Sequence, residues 1–290
     1  MRFLATLLLA LSSSAAFAAL PDTLTFYSPN PTGTQTVACR TLAKLYDEKY
    51  GTTSTVAFKP GVAGVLAMKE MLADKKFAML CSGISESVIN TSVYPGYEED
   101  HKQLTMVSVV ALSPTVFSTS ASSKFSSLPE MLKAGKSITV GYHSSSLQFV
   151  AKAALAGAPV IWVPFKAGAD GVPSLVDGSL DLYVDGGALS ALIAAGKLKS
   201  LGHINGPATT AGPDISKQYP AAAKLQIITA ISTSTKNKPA DIEEMNKRIV
   251  PLTKHPEFIA AMDKVSNTPV QMSVVESNSV IEHFRKEFYK

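Results

Sequence analysis

VPFKAG (residues 163–168) is followed by VDGSLDL (176–182) and AGKLKSLG (195–202), and these three segments decide the predicted fold. The first segment contains the end of an apolar strand and the loop after it. A short helix follows, and the second segment leads into another strand, which ends at Asp185. Strands that alternate with helices form mostly parallel sheets, and small ligands bind beyond the carboxyl ends of such strands. The pattern therefore predicts a binding site built from the loops after these strands.

The same alternation of strand, loop and helix runs through the rest of the chain. In the first part we predict strands at 24–27, 53–58 and 77–81, with helices between them, the first of which ends before Gly51. In the second part we predict a helix at 128–134, a strand at 138–142, a loop at 143–146, a helix at 147–155 and a strand at 160–163. Each sheet should be covered by helices on both faces.

Two segments indicate that the chain is divided into two lobes. The Ser-rich stretch from Ser118 to Ser127 has the composition of a connector. The stretch from Ile227 to Ser232 should carry the chain back, because a helix with an acidic first turn starts near Pro239. We therefore predict an α/β fold of two lobes with two crossovers at the hinge and the ligand cleft between the lobes. Lobe 1 comprises residues 19–122 and 231–290, and lobe 2 residues 123–230.

The amino terminus has the features of a signal peptide for secretion. Arg2 supplies a positive charge, residues 4–11 are an almost unbroken apolar run, and Ala16-Phe17-Ala18 offers small residues for cleavage after Ala18. The alternative, an amino-terminal membrane anchor, is disfavoured because the apolar run is too short to span a bilayer. We expect residues 1–18 to be removed during export.

Composition limits the classes of partner. The chain has 290 residues, 46% of them hydrophobic and 17% charged, and 27 basic against 23 acidic residues give a net charge of +4. That mild excess suits a small anionic ligand. Nucleic-acid binding is disfavoured, because the lysines are scattered and no basic stripe interleaved with aromatic residues occurs.

The two cysteines, Cys39 and Cys81, are placed in the first helix and at the end of a strand. A disulfide is permitted after export, but it requires these two elements to pack side by side. We favour the alternative, two buried thiols that act as small hydrophobic residues. Two cysteines and dispersed histidines do not form a zinc site, and we expect no metal and no cofactor.

Several motifs resemble the periplasmic receptors of the tripartite tricarboxylate transporter family, also called Bug receptors. They lie at Pro29–Arg40, Lys59–Gly64, Val163–Gly168, Ala195–Gly202 and Pro239–Asn246, so the resemblance extends over nearly the whole mature chain. It implies a two-lobed protein, similar to the type II periplasmic binding proteins, that binds a di- or tricarboxylate or an aromatic acid. It also implies a periplasmic location and integral-membrane transporter subunits as partners, and we expect a monomer.

The chain departs from the family pattern in loops that are expected to line the cleft. Thr32-Gly33-Thr34-Gln35 replaces the usual double glycine and aspartate, and Ser144-Ser145-Ser146 replaces a Gly-rich loop. These departures leave the identity of the ligand open.

The candidate ligand-binding residues share a position in loops that follow strands. Backbone N–H groups at the start of a helix are unsatisfied and favour an anion, and hydroxyl groups add donors. The alternatives are ordinary capping by Ser, Thr or Asp and, for the lysine, a solvated charge. The candidates are Ser28, Asn30, Thr32, Gly33, Thr34, Gln35, Ser82, Gly83, Ser85, Ser144, Ser145, Ser146, Phe165, Lys166 and Asp185.

These residues predict a receptor that closes around its ligand and is read by a membrane transporter. One alternative is a receptor that feeds a signalling system. Another is a secreted serine hydrolase, but Gly83-Ile84-Ser85-Glu86-Ser87 lacks the last glycine of a nucleophile elbow, and His143 next to Ser144 is not a catalytic arrangement by itself. We therefore expect no enzymatic activity.

Overall fold

The computed structural model describes residues 20–288 apart from Asn30, Thr32, residues 62–63, 91–95 and 97–99, and Ala167. The predicted signal peptide, residues 1–18, lies outside the described residues. Within them, the chain forms two α/β lobes, each built on its own sheet.

The first lobe contains a sheet in the order β11-β4-β10-β3-β1-β2. Its strands are β1 (Thr23–Ser28), β2 (Thr53–Phe58), β3 (Ala78–Ser82), β4 (Leu104–Ser113), β10 (Ile227–Ser234) and β11 (Thr268–Pro269). β1 is parallel to both β2 and β3, whereas β10 lies antiparallel between β3 and β4. Parallel strands require crossover helices, which accounts for the alternation seen in the sequence.

Helices cover both faces of this sheet. They are α1 (Thr34–Tyr50), α2 (Val65–Ala73), α8 (Pro239–Ile249), α9 (Pro256–Asp263) and α10 (Val274–Phe288). Successive residues of a strand point to opposite faces. Val107 accordingly packs in the core with α1, α8 and α9, while Met106 packs with α10. Both faces are therefore apolar and buried.

Cys39 on α1 and Cys81 on β3 form a disulfide, with their Cα atoms 5.9 Å apart. The prediction of two free thiols was wrong. The buried face of α1 packs across β3. In the sheet β3 lies next to β1, although β2 stands between these two strands in the sequence. Sequence spacing does not reveal that proximity.

The second lobe contains a sheet in the order β7-β6-β8-β5-β9. Its strands are β5 (Thr115–Ser120), β6 (Ile138–Tyr142), β7 (Val160–Pro164), β8 (Leu182–Asp185) and β9 (Leu198–Ile204). Its helices are α3 (Leu128–Lys133), α4 (Ser145–Ala154), α5 (Val172–Val176), α6 (Ser190–Ala194) and α7 (Pro220–Ala223). Leu182 and its neighbour Tyr183 pack into separate apolar clusters on opposite faces. The carboxyl ends of parallel β6, β7 and β8 face the same way.

The hinge consists of two chain segments that run side by side. The chain leaves the first lobe at Pro114, between β4 and β5, and it returns directly into β10, where Ile227 pairs with Ser113. The predicted crossing at Ser118–Ser127 is wrong, because β5 already pairs with β8 and β9 of the second sheet. Residues 227–230, predicted to lie in lobe 2, belong to the first sheet.

Candidate functional site

A cavity of about 470 Å³ lies between the two lobes and is lined by residues of both. It is bounded by loops that follow strands in each sheet and by the hinge, which is the position that open α/β sheets offer a ligand. The first lobe contributes Pro31, Gly33, Thr34, Gln35 and Glu86; the second contributes His143, Ser144, Ser146, Leu147, Lys166, Gly168, Ala169, Gly186, Ala188 and Leu189; and the hinge contributes Ser113, Ile227 and Ile228.

The first turn of α1 opens on this cavity. Gly33 precedes it with φ 106° and ψ 174°, a conformation that is essentially restricted to glycine, and this N-cap residue has no side chain with which to cap the helix. The N–H groups of Thr34 and Gln35 have no partner within the helix, because the first intrahelical bond runs from Val37 N to Gly33 O. The predicted contacts Gly33, Thr34 and Gln35 thus line the cavity. Asn30 and Thr32 lie outside the described residues.

The first turn of α4 faces the same cavity from the second lobe. The helix begins at Ser145 with Ser144 as its N-cap residue, so the predicted start at Leu147 is two residues too late. Ser144 and Ser146 line the cavity. Ser145 does not, because its hydroxyl donates to Asn90 Oδ1 of the first lobe at 2.6 Å. Ser145 thus makes a contact between the lobes, and its predicted contact with a ligand stays a prediction.

Ser85 joins the two lobes rather than lining the cavity. It is buried in a one-turn π-helix, Ser85–Ile89, and its Oγ lies 2.7 Å from the Oγ atoms of both Ser144 and Ser146. Ser85 Oγ also accepts a hydrogen bond from the backbone N–H of Ser146 at 3.1 Å. A side chain of the first lobe thereby satisfies one of the unpaired N–H groups of α4. We call Ser85, Ser144 and Ser146 the interlobe serine cluster.

The loop after β7 contributes a cation to the cavity wall. Lys166 is exposed and lines the cavity. Phe165 does not, because it packs edge-on against Tyr183 with ring centroids 5.7 Å apart. The Phe165 ring packs with an apolar cluster of the second lobe, and its predicted contact with a ligand stays a prediction.

His143 lines the cavity as a neutral imidazole. Its ring is parallel to that of Tyr183, and burial lowers the pKa of His143 to about 4. His143 Nδ1 lies 3.4 Å from the Tyr183 hydroxyl, whereas the Ser144 hydroxyl bonds to other serines. These contacts do not form the serine–histidine pair that a hydrolase requires.

Four other predicted contacts lie behind the cavity wall. Asp185 is fully buried, and its Oδ1 accepts hydrogen bonds from Gly187 N at 2.6 Å and Leu189 N at 3.3 Å, so it shapes the turn that lines the cavity. Burial raises the pKa of Asp185 to about 6.

The other three predicted contacts that lie behind the cavity wall are Ser28, Ser82 and Gly83. The Ser28 hydroxyl lies 3.3 Å from Thr36 Oγ1, the Ser82 hydroxyl lies 2.6 Å from that of Ser87, and Gly83 N donates to Glu86 Oε2. None of the three lines the cavity, and their polar groups form hydrogen bonds within the lobe, so ligand contact at these positions stays a prediction.

Sequence reasoning missed Glu86 and the hinge residues. Glu86 was considered only within the incomplete nucleophile elbow, because an acid after a strand-end loop does not reveal by its position that it is buried at a cavity. Ile227 and Ile228 belong to a strand, and nothing in their apolar pattern distinguishes a cavity floor from a core.

The described residues contain no cluster of three or more histidine, cysteine, aspartate or glutamate side chains arranged to hold a metal ion. Among the same residues, no helix combines the length and apolar character needed to cross a membrane.

Solved structures share this fold. A structure described as a periplasmic transporter has a TM-score of 0.79 and 17% identity, with 92% of this chain and 94% of that chain covered. Rpa4515 of R. palustris with adipate has a TM-score of 0.78 and 16% identity, covering 92% and 94%. MatC (Rpa3494) from Rhodopseudomonas palustris with bound malate has a TM-score of 0.77 and 12% identity, covering 92% and 97%.

No curated protein sequence matches the chain. A family model described as tripartite tricarboxylate transporter family receptor matches residues 38–286. That match spans both lobes, the hinge and all but the amino-terminal edge of the cavity, and the two-lobed fold agrees with it. The chain belongs to the tripartite tricarboxylate transporter receptor family.

Proposed function

We propose that this protein captures a small carboxylate, a di- or tricarboxylate or an aromatic acid, and presents it to the membrane subunits of a tripartite tricarboxylate transporter. The observation that carries the proposal is that the first turns of α1 and α4, from opposite lobes, open on one cavity. Family membership and the neighbours with adipate and malate support it. The protein acts by binding, without catalysis.

We propose that groups of both lobes hold the anion between them. Backbone N–H groups at Thr34 and Gln35 receive one carboxylate, and Ser144, Ser146 and Lys166 receive a second polar group. A ligand that contacts both lobes stabilises the closed arrangement by its differential affinity for it. From the sequence, Asn30 and Thr32 remain predicted contacts of the same ligand.

The compartment and the lobe limits are part of the proposal. Residues 1–18 direct export to the periplasm and are cleaved, and the mature receptor is a monomer. Lobe 1 comprises the chain up to Ser113 and again from Ile227, and lobe 2 comprises residues 115–226, in accordance with the strand pairing.

A thermal-shift screen tests the proposal directly. The mature protein, stripped of ligand by unfolding and refolding, is screened against mono-, di- and tricarboxylates and aromatic acids. A ligand at about 100 times its Kd adds roughly 2.7 kcal/mol of stability, which raises Tm by several degrees. No shift with any acid would refute the proposal.

Two lysine variants show whether a hit occupies the cleft. Lys166→Gln should weaken binding, because the cation lines the cavity. Lys197→Gln, at an exposed lysine of the same lobe away from the cavity, is the matched control and should bind like wild type.

Loss of cellular uptake of the same ligand on gene deletion supports transport, whereas unchanged uptake with altered kinase output would indicate sensing.

A further inference from the structure

Glu86 places a buried carboxyl group at the cavity wall. It is 7% exposed, and it is the one carboxylate among the described residues that line the cavity. Gly83 N donates to Glu86 Oε2 at 3.0 Å and Gln35 Nε2 donates to the same atom at 3.4 Å. Both donors are neutral, as is a third, the backbone N–H of Glu86 itself, and within the described part of the chain no cation forms an ion pair with this carboxyl group.

Two glycines fix the position of this side chain. A Cβ atom at Gly64 would lie 2.4 Å from Glu86 Cγ, and Gly64 also has a φ of 93°. A Cβ atom at Gly83 would lie 2.6 Å from Gln35 Nε2, the donor to Glu86. Neither position accepts a side chain without displacing the glutamate or its partner. The carboxylate is therefore held at the wall by close packing.

An isolated carboxylate in such a place is costly. Burial disfavours its charged form, and neutral hydrogen bonds compensate only in part; burial accordingly raises the pKa of Glu86 above its usual range. A ligand carboxylate placed beside an ionised Glu86 would be repelled, whereas an ammonium group would form a charge-assisted hydrogen bond. Lys166 lies on the wall of the other lobe. The cavity thus offers partners for both signs of charge.

We propose that the ligand carries an ammonium group in addition to its carboxylate, and that Glu86 receives the ammonium while the helix N-termini and Lys166 receive the carboxylate. This assignment rests on the proposed function and narrows its substrate class to amino acids and related amino carboxylates. Selection arises because a plain acid leaves Glu86 without a cation, and the amino compound supplies one.

Matched pairs of compounds test this assignment by calorimetry at a single pH of 7.5. The pairs are succinate and aspartate, glutarate and glutamate, adipate and 2-aminoadipate, and benzoate and 4-aminomethylbenzoate. Wild type should bind the amino member of at least one pair about tenfold more tightly or better than the plain member, the effect of one hydrogen bond between charged groups.

The variant Glu86→Gln keeps the shape of the side chain and an acceptor for Gly83 N. It should lose the preference for the amino member and bind the plain member more tightly than wild type does. Glu243→Gln, at an exposed glutamate on α8, is the control and should keep the wild-type preference. Circular dichroism and Tm confirm that each variant is folded.

The outcomes separate this inference from the broader function. If plain acids bind as tightly as their amino counterparts, or if Glu86→Gln leaves the ratio unchanged, the inference is overturned and the carboxylate receptor stands. That result is also expected if Glu86 holds a proton and donates it to a ligand carboxylate. If neither member of any pair binds, the proposed function fails and the inference fails with it.

Discussion

The hydroxyl oxygen of Ser85 in the first lobe lies 2.7 Å from that of Ser144 in the second, and the two lobes therefore touch at the edge of the cavity, which Ser144 lines and Ser85 does not. Ser146 completes the interlobe serine cluster, since its own hydroxyl is 2.7 Å from Ser85 Oγ and its N–H donates to the same oxygen. Separation of the lobes would break these contacts, so they stabilise the arrangement in which both lobes line one cavity.

Removal of the Ser85 hydroxyl should weaken binding although it replaces no residue that lines the cavity. We expect Ser85→Ala to raise Kd about 5- to 30-fold, because about 1 to 2 kcal/mol of hydrogen bonding in the closed state is lost. Calorimetry with a ligand from the screen measures the change. Ser82→Ala is the matched control: it removes the 2.6 Å contact with Ser87, which lies within the first lobe, and should lower Tm while Kd stays constant. Equal Kd values for both variants would contradict this role of Ser85.

Gly33 should be essential for the position of the α1 terminus. Its φ of 106° with ψ of 174° strains any other residue, so we expect Gly33→Ala to cost about 1 to 3 kcal/mol and to weaken ligand binding. Gly135→Ala, after α3 at φ 64° with open space around it, should lower stability and leave binding unchanged. Urea unfolding and calorimetry on both variants measure the two effects. Wild-type affinity in Gly33→Ala would show that this turn does not hold the ligand.

The buried carboxyl group of Asp185 should make stability depend on pH. Its folded pKa of about 6 lies above the ordinary value of 3.8, so its stabilising contribution is complete below pH 3.8 and is lost as pH rises through 6. Asp185→Asn does not titrate and retains an oxygen for Gly187 N and Leu189 N.

The free energy of unfolding of this variant, relative to wild type, should therefore rise between pH 4 and pH 7 by up to about 3 kcal/mol. Urea unfolding of both proteins at pH 4, 5, 6 and 7 measures the difference. A difference that stays constant, or that falls with rising pH, would be inconsistent with a raised pKa.

The Cys39–Cys81 disulfide should stabilise the first lobe alone. The cysteines are 42 positions apart in sequence, and closing a loop of this size contributes about 2 to 4 kcal/mol. We expect the double variant Cys39→Ala/Cys81→Ala to lose that amount in urea unfolding and to bind ligand with unchanged affinity. Wild type under a strong reductant should behave similarly, and a large rise in Kd would place the bridge in the binding mechanism.

The sequence was sufficient to predict the strand order along the chain and the edge where the site lies. Apolar runs bounded by Pro, Gly and Ser identify strands such as Ile138–Tyr142, and parallel topology then brings their carboxyl ends together. This is why Gly33, Thr34, Gln35, Ser144, Ser146 and Lys166 were identified as neighbours of one cavity.

The same reasoning fails where side-chain direction decides the outcome. Ser85 and Asp185 also follow strands, but the Ser85 hydroxyl points across to the other lobe and the Asp185 carboxylate points back into its own turn. Strand-end position does not distinguish these directions. Glu86 was missed for a related reason, because its importance comes from burial between Gly64 and Gly83, which is a property of packing.

The position of β10 between β3 and β4 determines the order in which the two lobes can fold. The second lobe is one continuous stretch of chain, from β5 to α7. The sheet of the first lobe, in contrast, needs β10, which follows the whole second lobe in the sequence. Contacts between distant segments form slowly, because the intervening chain must first be closed into a loop. A nascent or newly exported chain is therefore able to finish its second lobe while β3 and β4 still expose unpaired edges, and insertion of β10 is the step that joins them.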